Sequence, residues 1–204
     1  MLAPPDPGCA VSLRGALVAA LRDLHEIGSR HAIIGGLAVS ARVEPRMTRD
    51  VDIVVAVADD AAAEAVVHQM LLRGYRIGNV LEQSVTGRLA TTRLLPPDAW
   101  ESGVVVDLLF ASSGIEGEVA DAAESLVVLK DTVAPVATVG HLIALKLLSE
   151  SARRPQDAAD LARLATTATS VDWAQARGAV GLIVDRGFGR GRDLVAALNR
   201  LMTG

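Results

Sequence analysis

A run of β-branched residues that begins with two carboxylates constrains this chain more than any other segment. Asp50 and Asp52 stand at the start of the apolar segment 51–57, whose composition predicts a strand. Residues i and i+2 of a strand lie on the same side, so both carboxylates are expected to face one way. Like charges at that distance repel each other unless a cation shares them, and a hard divalent ion such as Mg²⁺ suits carboxylate oxygens.

Upstream of that strand, the segment 31–34 predicts a short strand that turns through Gly35 and Gly36 into a helix at 37–43. Glycines let a backbone approach a ligand closely, and a helix N-terminus favours phosphate. Taken singly, a glycine pair is usually a tight turn and an Asp-x-Asp is usually a surface pair. Their order along the chain indicates nucleotide chemistry.

A third carboxylate, Asp107, lies inside the apolar run 104–110, which predicts a buried strand. Burial of a carboxylate costs several kcal/mol unless it is paired or bound to a metal. If this strand lies beside the strand at 51–57, three carboxylates meet at one end of a sheet. The alternative is a turn or edge position at which Asp107 reaches solvent, and the wholly apolar residues on both sides favour the first interpretation.

Composition excludes several classes of protein. The 204 residues are half apolar, which is enough for one core with a small appended bundle. A net charge of −4 and an aromatic content of 2% argue against a general nucleic-acid binder and against base-stacking platforms. Cys9 is the only cysteine, which excludes an intrachain disulfide and a thiolate metal site. No apolar run reaches membrane-spanning length, so we expect a cytoplasmic protein without a membrane partner.

Hydrophobic periodicity predicts an α+β fold, in which a mixed β-sheet with flanking helices is followed by a C-terminal helical subdomain. The predicted strands are 31–34, 51–57, 75–80, 88–95, 104–110 and 126–129. The predicted helices are 11–27, 37–43, 60–73, 115–123, 139–151, 156–165, 173–184 and 193–202. Only helices are expected after about residue 130. We divide the chain into an α+β module at 1–134, with residues 1–10 disordered, and a helical subdomain at 135–204. The cleft between them is the expected ligand site.

Seven positions between residues 35 and 107 form a pattern: Gly35, Gly36, Arg46, Thr48, Asp50, Asp52 and Asp107. Together they resemble the motifs of the DNA-polymerase-β-type nucleotidyltransferases, and most closely those of the AbiEii/AbiGii toxin-like (MenT-like) group. Lys146 and the segment 153–161 resemble the second half of that group, so the resemblance covers roughly residues 30–165. Two departures are Gly36, where the superfamily commonly has serine, and Gln156, where the group often has lysine.

The resemblance implies a nucleotidyltransferase fold and an enzyme that moves a nucleoside monophosphate from an NTP such as ATP to a hydroxyl acceptor. That acceptor would be tRNA, a protein or a small molecule. The resemblance further implies that two Mg²⁺ ions are held by three catalytic carboxylates, which are Asp50, Asp52 and Asp107. The implied nucleotide-binding residues are Gly35, Gly36, Arg46, Lys146 and Asp157. The implied biological role is a growth-inhibiting toxin restrained by a cognate antitoxin protein.

Other interpretations stay open at this stage. Lys146 could form an ion pair with Glu150 four residues on, and Asp157 and Asp160 could simply favour the N-terminus of their helix. Arg49 could contact phosphate or face solvent. The chain could be a non-catalytic relative that binds nucleotide or a partner protein, although it keeps all three carboxylates. A sugar transferase with a metal-binding Asp-x-Asp fits less well, because no doubly wound nucleotide-sugar domain precedes the motif.

Overall fold

The structure of the protein is a computed structural model that describes residues 12–84, 86–97, 103–151 and 154–203. Residues 1–10, which were predicted to be disordered, lie outside the described residues. The described elements, in chain order, are α1 (Leu13–Ile27), β1 (His31–Ile33), α2 (Gly35–Arg42), β2 (Asp50–Val55), α3 (Asp60–Leu72), β3 (Arg76–Glu82), β4 (Leu89–Leu95), β5 (Val105–Leu109), α4 (Glu116–Asp121), β6 (Glu124–Leu129), β7 (Thr132–Val136), α5 (Val139–Ser149), α6 (Pro155–Thr167), α7 (Ser170–Asp185) and α8 (Leu194–Thr203).

The strands of the described residues form one mixed sheet in the order β3-β4-β5-β2-β1-β7-β6. At its centre, β2 runs parallel to β5 and antiparallel to β1. Four of the six residues of β2 and three of the five residues of β5 are buried, which explains why both sequences are mostly apolar apart from their aspartates. The predicted α+β class, with a mixed sheet followed by helices, is confirmed.

Strand β7 is the element that the sequence did not predict. It pairs antiparallel with β6, which was predicted as an edge strand and is one, and it pairs in parallel with β1. Pro135 argues against an interior strand in the sequence, because proline cannot donate to a ladder. The sheet accommodates it because pairing with β1 is confined to the position of Ile33 and Val136, after the proline. The predicted division at residue 134 falls within β7, and the two-module organisation stays a proposal.

Helix α1 shows how the local sequence sets the ends and faces of the helices. The Ser12 side chain accepts a hydrogen bond from the backbone N–H of Gly15 and begins the helix. Leu17 and Leu24, two turns apart, are fully buried in the core. Within the described part of the chain, no helix has the length and hydrophobicity that a membrane crossing requires.

Helix α5 is the central helix of the C-terminal part and packs closely against α7 and α6. Its close approach to α7 depends on Gly140. A Cβ atom at that position would lie 2.5 Å from the backbone oxygen of Asp172 and 2.8 Å from Oε1 of Gln175. The contact therefore requires the absence of a side chain.

We expect Gly140→Ala to destabilise the protein by about 1–3 kcal/mol, because the methyl group overpacks the contact between α5 and α7. Gly178→Ala is the matched control. Gly178 lies in α7 with no atom within 4 Å of a built Cβ, so alanine there should stabilise by about 0.5–1 kcal/mol through helix propensity. Urea denaturation of both variants decides the point, and effects of the same sign would contradict the packing account.

Candidate active site

A cavity of about 550 Å³ lies between the sheet and the C-terminal helices. On the sheet side it is lined by Asp52 of β2, Arg93 of β4 and Asp107 of β5. On the helix side it is lined by Lys146 of α5 and Asp157 of α6. The cavity thus lies between the sheet and the helices, where the sequence predicts a ligand cleft.

The parallel pairing of β2 with β5 brings the predicted carboxylates together. Asp52 is the direct register partner of Asp107. Burial, followed by the negative charges of Asp107 and Asp50, raises the pKa of Asp52 to about 6, against the opposing charges of Lys146 and Arg154. Asp50 is close enough to act on Asp52 but does not line the cavity.

Gly35, the first residue of α2, lines the cavity and is pressed against Asp52. Its φ of +63° is in the left-handed region that favours glycine. A Cβ atom there would lie 1.9 Å from Oδ2 of Asp52 and 2.9 Å from its Cβ. The first N–H groups of α2 have no partner within the helix and carry its positive dipole end, so this terminus can accept an anion.

Gly36, the second glycine of the pair, packs against the segment that leads into β2. It is buried and does not line the cavity. A Cβ atom there would lie 2.8 Å from Nη2 of Arg46 and 2.9 Å from Oγ1 of Thr48. The second glycine therefore makes room for the segment that leads into β2, and only Gly35 of the pair reaches the cavity.

Lys146 and Arg46 belong to a buried ion network with the carboxylates of α6. Nζ of Lys146 lies 2.5 Å from Oδ1 of Asp157 and 2.8 Å from Oδ2 of Asp160. Nη2 of Arg46 lies 2.9 Å from the same Asp160 oxygen, and Ser149 donates a hydrogen bond of 3.0 Å to Asp157. Burial pushes the pKa of Asp160 upward, but hydrogen bonds from Lys146 and Arg46 outweigh it and hold this pKa below its ordinary value.

The sequence left open an ion pair between Lys146 and Glu150, and that interpretation is wrong. Glu150 lies just beyond the end of α5, with Oε2 3.3 Å from Nη2 of Arg192. Lys146 is buried and directed toward α6. Asp157 and Asp160 are therefore counterions of this lysine in addition to being acidic residues in the first half of their helix.

Three arginines that the sequence did not mark as site residues also line the cavity: Arg93, Arg154 and Arg190. Arg93 binds Asp107 through Nε–Oδ1 and Nη2–Oδ2 contacts of 2.8 and 2.7 Å. Arg190 donates to the backbone oxygen of Ser112 at 2.8 Å. Burial and then the nearby charge of Arg154 lower the pKa of Arg190. Arg49 is exposed and does not line the cavity.

The donor chemistry at β2 and β5 fits a hard divalent cation. It consists of oxygen atoms alone, and within the described chain no donor hydrogen-bonds to the Asp52 carboxylate, whose pKa is raised first by burial and then by the charges of Asp107 and Asp50. No three acidic, histidine or cysteine side chains among the described residues are already arranged around a metal position. The guanidinium of Arg93 covers both oxygens of Asp107, so one of the three predicted ligands is engaged elsewhere.

No protein-family profile matches this chain, and no curated protein is significantly similar to it. Several solved structures are similar to this chain at low sequence identity. An antigenic nucleotidyltransferase-like protein from Paracoccidioides brasiliensis has 16% identity and a TM-score of 0.49 over 92% of each chain. The lincosamide antibiotic adenylyltransferase LnuA has 14% identity and a TM-score of 0.43 over 85% of this chain and 99% of that one. JHP933 from Helicobacter pylori has 12% identity and a TM-score of 0.47 over 95% and 89%.

The ion network predicts a large effect of Lys146→Met on stability. Loss of the ammonium leaves Asp157 without its cation and Asp160 with Arg46 and the more distant Arg163, and breaking a buried pair in this way costs about 3–5 kcal/mol. Glu150→Gln is the control, because its partly exposed pair with Arg192 contributes only about 0–1 kcal/mol. The measurement is the free energy of unfolding in urea, and equally small losses in both variants would show that the network contributes little.

The raised pKa of Asp52 predicts a pH-dependent gain in stability for Asp52→Asn in the metal-free protein. In the folded wild type, the Asp52 carboxyl loses its proton at a higher pH than in the unfolded chain. Its contribution to the free energy of unfolding is therefore complete below about pH 4 and is lost as the pH rises through about 6. In EDTA, the stability of the variant relative to wild type should increase by up to about 3 kcal/mol between pH 4 and pH 7.5. Asp185→Asn, at an exposed position, should show no such increase, and a flat difference for Asp52→Asn would contradict the prediction.

Proposed function

We propose that this protein is a nucleotidyltransferase that moves a nucleoside monophosphate from an NTP to a hydroxyl acceptor. One observation carries the proposal: Asp52 lies beside Asp107 in the register of β2 and β5, and Gly35 at the start of α2 is pressed against Asp52 in the same cavity. A carboxylate cluster suited to a divalent ion and N–H groups suited to phosphate are therefore adjacent.

In the proposed reaction, the acceptor hydroxyl oxygen attacks the α-phosphorus of the NTP. The new bond joins that oxygen to phosphorus, the bond between the α-phosphorus and the bridging oxygen breaks, and pyrophosphate leaves with its electron pair. Two Mg²⁺ ions, held by Asp50, Asp52 and Asp107, would supply the charge that neutralises the triphosphate and orients it for attack. Asp107, which lies beside Asp52 in the cavity, would favour deprotonation of the hydroxyl and would take up its proton.

Four cations near the cavity, in addition to Arg93, form two groups with different proposed roles. Arg154 and Arg190 line the cavity, and we assign them to the triphosphate together with the backbone of Gly35. Arg46 and Lys146 neutralise the carboxylates of α6 instead. We assign these two residues, with Asp157 and Gly36, to positioning the wall of the cavity.

The test is nucleotide binding measured by calorimetry, because it needs no acceptor. NTP should bind at least about tenfold more tightly with Mg²⁺ than with EDTA, since the ion offsets repulsion between carboxylates and triphosphate. Asp52→Asn should remove this dependence, whereas the exposed substitution Asp185→Asn should keep it. Equal affinities with Mg²⁺ and EDTA in the wild type would overturn the proposed site.

The acceptor is sought by incubating the protein with each α-labelled NTP, Mg²⁺ and separate fractions of RNA, protein and small molecules. The expected result is a labelled product with wild type and none with Asp52→Asn. A non-catalytic relative that binds nucleotide or a partner would pass the binding test and give no labelled product in any fraction.

We further propose that the transfer inhibits growth and that a cognate antitoxin protein restrains it. Support comes from the resemblance of the segments around Asp52 and Lys146 to the AbiEii/AbiGii toxin-like group. Induced expression of the wild type should slow bacterial growth, and Asp52→Asn should not. Equal growth with an enzymatically active wild type would reject the toxin role and leave the transferase proposal standing.

A further inference from the structure

The pair formed by Arg93 and Asp107 is the least expected contact in the cavity. The two residues are direct register partners in the antiparallel pair β4 and β5. Both carboxylate oxygens of Asp107 are used, at 2.8 Å by Nε and at 2.7 Å by Nη2 of Arg93. A bidentate pair of this kind fixes the carboxylate geometrically as well as electrostatically.

Arg93 is also within electrostatic reach of Asp50 and Asp52. The hydrogen bond to Asp107 raises the pKa of Arg93 first, and the charges of Asp107, Asp50 and Asp52 add to the effect. The guanidinium is therefore attracted by the whole cluster of carboxylates that the proposed function assigns to divalent ions.

The geometry of the two side chains makes the pair separable. The Arg93 side chain is 45% exposed, whereas that of Asp107 is 11% exposed. Both line the cavity, so the arginine can leave the carboxylate without unpacking the core and still remain at the ligand site. A triphosphate in the cavity would offer the freed guanidinium another anionic partner of matching geometry.

We propose that Arg93 is a displaceable counterion that competes with the divalent ion for Asp107 and moves to the triphosphate when metal and nucleotide bind together. This inference rests on the proposed function, because it assumes a divalent ion at Asp52 and Asp107. Arg93 thereby couples metal binding to nucleotide binding. Without nucleotide, the metal must compete with Arg93 for Asp107. When nucleotide is bound, Arg93 contacts the triphosphate and leaves Asp107 free for the metal.

The test measures Mn²⁺ affinity by calorimetry, first without nucleotide. Arg93→Gln should bind Mn²⁺ at least about tenfold more tightly than wild type, the scale of one charge-assisted hydrogen bond. Arg93→Lys keeps the charge and loses the two-point contact, so its affinity should fall between the two. If Arg93→Gln does not fold, Arg93→Lys still decides, because direct competition requires tighter Mn²⁺ binding than in wild type.

Arg154→Gln is the matched control for charge. It removes the same charge from the same cavity, and among the described contacts Arg154 has none with Asp107. Its effect on Mn²⁺ affinity should be at least about threefold smaller than that of Arg93→Gln, because screened charge acts weakly without contact. Equal effects of the two variants would mean that Arg93 acts as a distant charge, and the proposal would be overturned.

The second measurement repeats the titrations with a non-hydrolysable α,β-methylene NTP. The analogue should raise Mn²⁺ affinity in the wild type by a factor at least about tenfold larger than in Arg93→Gln, where the competitor is already gone. The same factor in both proteins would refute the transfer of Arg93 to the triphosphate. A wild type that binds no NTP would instead reject the proposed function, while the nucleotide-free titrations would still decide whether Arg93 competes with metal.

Discussion

The cavity depends on one carboxylate that has no contact with solvent. Asp160 of α6 is 0% exposed and accepts from Lys146 of α5 and from Arg46, which precedes β2. Burial of this carboxylate without a partner would cost several kcal/mol. The fold therefore depends on both cations staying in contact with it. The segment of Arg46 thereby meets two helices that are distant from it in sequence, and the chain that enters β2 at Asp50 is fixed relative to those helices.

The two glycines at the start of α2 allow the sheet and this network to share one corner of the fold. Gly36 leaves space for Arg46 to reach Asp160, and Gly35 leaves space for the side chain of Asp52. Adjacent residues thus separate two kinds of charge. Gly36 adjoins Arg46, whose buried pair with Asp160 helps to hold the structure together, and Gly35 adjoins Asp52, which lines the cavity. This division explains why a motif that looks like a phosphate cradle also acts as a packing element.

Much of this architecture can be predicted from the sequence, because apolar periodicity and strand composition are local properties. The aspartates on β2 and β5 were expected to meet if their strands were neighbours, and the register pairs Asp52 with Asp107. The features that were not predicted are those that local sequence patterns do not encode. Strand β7 was not predicted because it contains a proline. The partner of Lys146 lies eleven residues away on another helix, whereas helical spacing pointed to Glu150. Arg93 meets Asp107 only through the register of β4 and β5.

The two sides of the cavity differ in how firmly the rest of the molecule supports them. The helix side is formed by α5, most of whose residues are buried and whose lysine is tied into the ion network. The opposite rim includes Asn79, Leu81 and Glu82 of β3, a strand at the end of the sheet in which all seven residues are exposed. A strand with one neighbour and little buried surface opens at a lower free energy than a central element. We therefore expect the cavity wall to yield at β3 at a lower free energy than at the helix side, where the charges are held.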